Sequence, residues 1–321
     1  MRTVFRLVIT SQLAFFVYFF KRCILFMAES EPKTFLVTSN GYASTRWIAS
    51  SLNMHPRIYC NHYLETEATD APEDHRQIAD SYEHDSFPSD EFGVSDFLRR
   101  LKRDGGEQGK DFAGNVGAYS ALVLRDKMIE CRPDEIPPIA NILRYPVDWV
   151  MSGAYQTMNI AIHSPDHQED LDGIRIGYPR RFKEIVPSNP TLLDKAFCRM
   201  CGELSDLAEE AELPWGNNFR MEDVTSNGTE FARMVKHLTG LDVSRDEEYL
   251  SRVFGRGVVH RHNPGQVKYP QDQLPLWQPW QRRVFLVEMQ EHGLIPIYTQ
   301  LGYDMSHLTR AITELNRKVR V

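Results

Sequence analysis

The stretch that most constrains this chain is Thr34-Phe35-Leu36-Val37-Thr38-Ser39-Asn40-Gly41-Tyr42-Ala43-Ser44-Thr45-Arg46-Trp47. Residues 34–38 read as a short buried strand, because β-branched and aromatic residues run together without a helical period. Residues 39–43 are small and turn-prone. Ser44 and Thr45 then open a run, Trp47-Ile48-Ala49-Ser50-Ser51-Leu52, whose apolar groups recur with helical spacing. Strand, small-residue loop and hydroxyl-led helix start together present backbone N–H groups and a positive dipole end to an anion. An ordinary strand-to-helix turn with a Ser or Thr cap has the same pattern, so other segments must decide between the two.

Composition limits the alternatives. The 321 residues allow one large α/β domain or two smaller ones. A chain that is 42% hydrophobic and 25% charged supports a full core and argues against wholesale disorder. A net charge of −7 argues against a general nucleic-acid binder, so any anion site has to be a local cluster of cations. Five cysteines, odd in number and far apart, do not suggest a disulfide framework. Cys198 and Cys201 form one Cys-x-x-Cys inside a predicted helix, with no second pair to complete a metal site.

The amino terminus differs from the remainder. Arg2 and Arg6 precede an apolar run over 7–20, then Lys21 and Arg22, then Cys23-Ile24-Leu25-Phe26. The run is short of the ~20 residues a membrane helix needs. Extending it through Phe26 places Lys21 and Arg22 inside. Two readings fit: a membrane anchor over 7–26, or a cytoplasmic protein whose translation starts at Met27. We therefore divide the chain into an apolar segment over 1–33, a domain over 34–303 and a helix over 304–321.

From Arg57 onward strand and helix patterns alternate. A second strand spans 57–60 and ends at Asn61-His62. Residues 65–91 carry ten Asp/Glu, two His and one Arg, a solvated loop or insertion. A helix over 94–102 is expected to stop at Asp104-Gly105-Gly106. A short strand over 111–114 and a helix over 119–127 follow. Ile139-Ala140-Asn141-Ile142-Leu143 is the next strand, with a helix from Pro146, where proline suits the first turn. Residues 164–190 form a long polar connection, 191–212 one long helix, and 217–221 a strand. Helices follow over 228–238 and 280–292, and Met305, Leu308, Ile312 and Leu315 form one apolar stripe. Such alternation specifies an α/β fold with a parallel sheet covered on both faces.

Three of these segments, in order, resemble the sulfotransferase family, whose members use 3′-phosphoadenosine 5′-phosphosulfate as donor. The opening loop occupies the place of the family's 5′-phosphosulfate loop. Leu143-Arg144-Tyr145-Pro146-Val147-Asp148, with Ser152 eight residues after Arg144, matches the 3′-phosphate motif. Phe219-Arg220-Met221-Glu222-Asp223 looks like the strand-end Tyr-Glu-Asp segment of many members. Trp277-Gln278-Pro279-Trp280 and Leu301-Gly302-Tyr303 give a weaker fourth match. The resemblance implies a P-loop NTPase-like three-layer fold with a central, mostly parallel sheet. It also implies sulfuryl transfer from that donor to an acceptor hydroxyl or amine, with no metal.

Carried over residue by residue, the resemblance places Asn40, Gly41, Tyr42, Ala43, Ser44, Thr45 and Arg46 around the 5′ end of the donor. Arg144 and Ser152 meet the 3′-phosphate, and Arg256 of Gly255-Arg256-Gly257 adds charge from a later loop. The acceptor base comes from the end of the second strand: His62 first, because imidazole titrates near neutrality, and Glu65 second. The chain departs from the family at Gly41, where many members have Lys or Arg, and at Ala43, where they have Gly. Trp47 suits either adenine or the core beneath the loop, and we favour the core. The loop lacks the Gly-Lys-Ser/Thr of a Walker motif. A nucleotide-binding protein that has lost transfer, and a P-loop-like kinase with a degenerate loop, are the competing classes.

Overall fold

The computed structural model describes residues 31–39, 41, 43–62, 94–117, 124, 136–163, 166, 168–169, 171, 185–213, 217–255 and 274–319. Five strands, β1 Lys33–Thr38, β2 Ile58–Asn61, β3 Phe112–Val116, β4 Ile139–Leu143 and β5 Asn217–Arg220, form one sheet. Their order is β2-β3-β1-β4-β5 and every neighbouring pair is parallel. Parallel neighbours require crossovers, and among the described residues helices lie in the β1–β2, β2–β3 and β4–β5 connections. In chain order these are α1 Thr45–Asn53, α2 Val94–Glu107, α3 Pro146–His163, α4 Leu192–Gly202 and α5 Leu204–Ala211. After β5 come α6 Met221–Ser226, α7 Gly228–Thr239, α8 Glu247–Gly255, α9 Pro279–Glu291, α10 Leu294–Gln300 and α11 Ser306–Val319.

Alternation along the strands sends successive side chains to opposite faces. Phe35, Val37, Ala140, Ile142 and Phe219 pack with Ile48 and Leu52 of α1 and with Phe231 and Val235 of α7. The intervening Leu36, Ala113 and Ile139 pack on Val94, Phe97 and Leu101 of α2. A third cluster joins α3, α4, α5, α9, α10 and α11 through Trp149, Phe197, Leu204, Phe285, Tyr298 and Leu308. Each fully buried side chain of this kind contributes about 1.5–3 kcal/mol relative to exposure.

Two expected boundaries are corrected. α2 does not stop at Asp104-Gly105-Gly106 but runs on to Glu107. A Cβ on Gly105 would stand 2.7 Å from the Ala113 Cβ, so the glycine is there to let the helix approach β3. The single helix expected over 191–212 is two helices, broken at Gly202-Glu203. Thr191 starts α4 with a capping box to Asp194, and glycine's low helix propensity marks the break. The acidic stretch, most of the 119–127 helix and the anchor-or-start segment lie outside the described residues. Among the described residues no helix is long and apolar enough to cross a membrane.

Candidate functional site

The chain leaves β1 for one side of the sheet and later takes up β4 on the other, so the strand order reverses between β1 and β4. Ligands of open α/β sheets bind at the carboxyl ends of strands at such a reversal. β1 and β4 are bonded neighbours, with Leu36, Val37 and Thr38 facing Ile139, Ala140 and Asn141. The small-residue loop and Arg144 therefore leave adjacent strands at the same edge.

The loop enters α1 through an unusual backbone. Gly41 has φ 75° and Ser44 φ 58°, the latter the one non-glycine residue in the left-handed region among those described. Ser44 is the N-cap position, yet its hydroxyl makes no capping bond and lies 3.4 Å from Met221 Sδ. The sequence pattern of a hydroxyl cap is thus present without its function. Helical geometry leaves the first N–H groups of α1 without intrahelical partners, and the Ser44 side chain does not serve them. Ala43 is buried, and Arg46 is exposed on the first turn. Trp47 packs on Phe231 and Phe254, ring centroids 5.9 and 5.8 Å away, which is the core role we favoured.

Arg144 and Ser152 are brought together. Arg144 Nη1 donates to Ser152 Oγ at 2.7 Å. Burial pulls the guanidinium below its ordinary value, while the carboxylates of Asp148 and Glu222 act the other way. Glu222 ties the following residues down. Its Oε1 accepts from the Tyr145 backbone N–H at 3.0 Å. The Tyr303 hydroxyl, a single donor, lies 2.9 Å from both Glu222 Oε2 and the Leu143 carbonyl oxygen. Burial, then the Glu222 charge, holds the Tyr303 phenol well above its usual value. Arg220 is engaged by Asp223 and the Gly302 carbonyl, and its guanidinium lies 5.2 Å from the centre of the Tyr303 ring. A cleft of about 200 Å³ opens between Tyr145, Arg220, Glu222, Tyr303 and His307. It is smaller than the ~300–1,000 Å³ typical of ligand pockets.

His62 follows β2 and reaches back to the loop helix, with Nε2 2.8 Å from Thr45 Oγ1. Burial, then the nearby Arg46 charge, lowers its pKa to about 3, which favours the neutral imidazole. Asn40, Tyr42, Glu65 and Arg256 lie outside the described residues. Cys198 and Cys201 are buried thiols, and burial pushes Cys198 up to about 12. Among the described residues no group of His, Cys, Asp or Glu is arranged to hold a metal ion.

Sequence reasoning missed two features. One is the Tyr303 hydroxyl between Leu143 and Glu222, a contact across 160 residues that no local pattern encodes. The other is a set of asparagines, Asn61, Asn115, Asn141 and Asn218, on four of the five strands. Asparagine is depleted in strands, and that was the available signal. No protein-family model matches the chain, and no curated protein matches it either.

Proposed function

We propose that this chain is a sulfotransferase of P-loop-like fold, moving a sulfuryl group from 3′-phosphoadenosine 5′-phosphosulfate to an acceptor hydroxyl or amine. The observation that carries the reading is the Arg144–Ser152 pair, 2.7 Å apart, at the exit of the strand next to the one that feeds the small-residue loop. A helix N-terminus contributes only ~0.3–1 kcal/mol toward an anion at exposed sites. A charged hydrogen bond from arginine adds ~1.5–3 kcal/mol. Two such sites on neighbouring strands suit the two ends of a bisphosphorylated nucleoside.

In this reading the first-turn N–H groups of α1 and the hydroxyls of Ser44 and Thr45 stabilise charge on the departing phosphate. His62 is the first choice for the group that takes the acceptor proton, with Glu65 second. A base with a pKa near 3 is weak. Phosphate charges bound at the loop raise the pKa of a neighbouring imidazole, so His62 becomes more basic as the donor binds. A second reading, a nucleotide binder without transfer, draws on Gly41, whose left-handed backbone disfavours the cation many family members carry there.

Binding of adenosine 3′,5′-bisphosphate against ATP, followed by a labelled-donor assay with a mixed acceptor pool, tests the reading. Tight bisphosphate binding with a sulfated product is expected. Bisphosphate binding without product selects the binder, and preference for ATP selects the kinase class.

A further inference from the structure

The asparagines form two bonded groups beneath the carboxyl edge of the sheet, a row from Thr38 to Ala211 and a pair on the other flank. Thr38 Oγ1 donates to Asn141 Oδ1 at 3.2 Å, and Asn141 Nδ2 donates to Asn218 Oδ1 at 3.1 Å. Asn218 Nδ2 donates to the Ala211 carbonyl oxygen at 2.8 Å. On the other flank Asn115 Nδ2 donates to Asn61 Oδ1. Thr38, Asn115 and Asn141 are buried, with exposures of 0%, 0% and 1%. Thr38 and Asn141 have the strand parity of Leu36 and Ile139, so this part of the row lies on the α2 side of the sheet. Every bond from Thr38 to Ala211 points the same way, which lets each polarise the next.

Fold stability alone does not require a buried amide row, because replacing both partners of a hydrogen bond with apolar groups of the same shape can be nearly neutral. Its position is more telling. Thr38 with Asn141 is the last residue pair of the β1–β4 ladder. Beyond it the two strands part, one into the loop through Ser39 and the other to Arg144 three residues on. Asn218 lies two residues before Arg220. One side chain thus ties together the strand ends from which the main site segments depart.

We propose that Asn141 is a positioning residue that sets the separation between the loop after β1 and Arg144. It thereby sets the spacing at which two anionic groups of one ligand are held. The inference rests on the nucleotide reading above. A ligand that bridges both segments gains affinity from the second contact only when the spacing fits. A ligand that meets one segment does not sense the spacing.

The test compares adenosine 3′,5′-bisphosphate with adenosine 5′-phosphate and adenosine 3′-phosphate by calorimetry. The proteins are the full-length wild type, Asn141→Leu, Thr38→Val and Thr38→Ser. Thr38→Val keeps the shape of the side chain and removes the donor, and Thr38→Ser keeps the donor. In Asn141→Leu and Thr38→Val the preference for bisphosphate over either monophosphate falls by about tenfold or more. Both monophosphate affinities stay close to wild type, and Thr38→Ser restores the preference. Wild-type preference that persists in Thr38→Val overturns the positioning role and leaves the nucleotide reading standing. Equal weakening of all three ligands, alongside a lowered melting temperature, reduces the row to a structural one and also overturns it. A wild type that binds bisphosphate no tighter than the monophosphates overturns the nucleotide reading and this inference with it.

Discussion

Arg144 is the residue whose loss is read most directly. Arg144→Ala should weaken adenosine bisphosphate by ~1.5–3 kcal/mol, the cost of a lost charged contact, and adenosine 5′-phosphate much less. Ser152→Ala should act in the same direction more mildly, because Ser152 also receives the Arg144 bond that orients the guanidinium. Equal losses for both nucleotides, measured by calorimetry, would mean that Arg144 does not read the 3′-phosphate. His62→Ala should lower turnover by ~10²–10⁴-fold with little change in donor binding. Near-full turnover in that variant, with Glu65→Gln inactive, would move the base to Glu65. His62 also makes a stability prediction. Its pKa is about 3 in the folded chain against an ordinary 6.5. Above pH 6.5 both states are neutral and the group contributes no pH dependence. Below it the unfolded chain binds a proton that the folded chain refuses, so this site makes stability fall as pH drops from 6.5 toward 3. His62→Gln, which keeps a hydrogen-bonding side chain beside Thr45, should flatten the difference in urea midpoint between pH 7 and pH 5. An unchanged difference would show that the imidazole is not shielded as described.

The helix α2 separates two neighbouring glycines by what each side chain would meet. A Cβ at Gly105 would stand 2.7 Å from the Ala113 Cβ, whereas at Gly106 the nearest atom is Pro32 Cδ at 3.8 Å. Alanine gains about 1 kcal/mol of helix propensity at either position. Overpacking against β3 costs about 1–3 kcal/mol. Gly106→Ala should therefore stabilise the protein and Gly105→Ala destabilise it, as opposite shifts in the urea midpoint. Shifts of the same sign would show that α2 does not sit on β3 at this spacing. The glycine pair reads in the sequence as a helix stop because local signals carry no information on packing partners. The boundary at Gly202-Glu203 was hidden for the opposite reason: the apolar spacing runs on through it. Where local and tertiary preferences agree the reading succeeded. Ile139–Leu143 ends one residue before Arg144, and Pro146 begins α3, both as the residues suggest.

Across the whole molecule, alternating strands and helices were enough to specify a parallel sheet with helices on both faces. The strand order β2-β3-β1-β4-β5 was not legible, because it is set by pairings between residues far apart in sequence. The spacing of Arg144 and Ser152 was legible because both lie within one strand-to-helix passage. The support behind them was not, because it comes from the other end of the chain. Gly302 accepts from Arg220, and His307 Nε2 lies 2.9 Å from the Tyr145 hydroxyl. The Tyr303 hydroxyl meets Leu143 and Glu222, while Met305 and Leu308 are buried in the cluster that includes α3 and α4. The C-terminal segment thus braces the strand end that carries Arg144. Tyr303→Phe tests this with little change in shape. Its ring can keep the neighbours at Tyr145, Tyr298 and Arg220, and only the hydroxyl is lost. Two acceptors then lose a shared donor, which should cost about 1–3 kcal/mol in urea denaturation. Bisphosphate binding should weaken too, by less than in Arg144→Ala, because the arginine remains and only its support is loosened. Combining Tyr303→Phe with Glu222→Gln should give a coupling of about 0.5–3 kcal/mol, the range for residues in direct contact. Additive effects would mean that Tyr303 does not hold Glu222, and that the C-terminal segment packs against the site without controlling it.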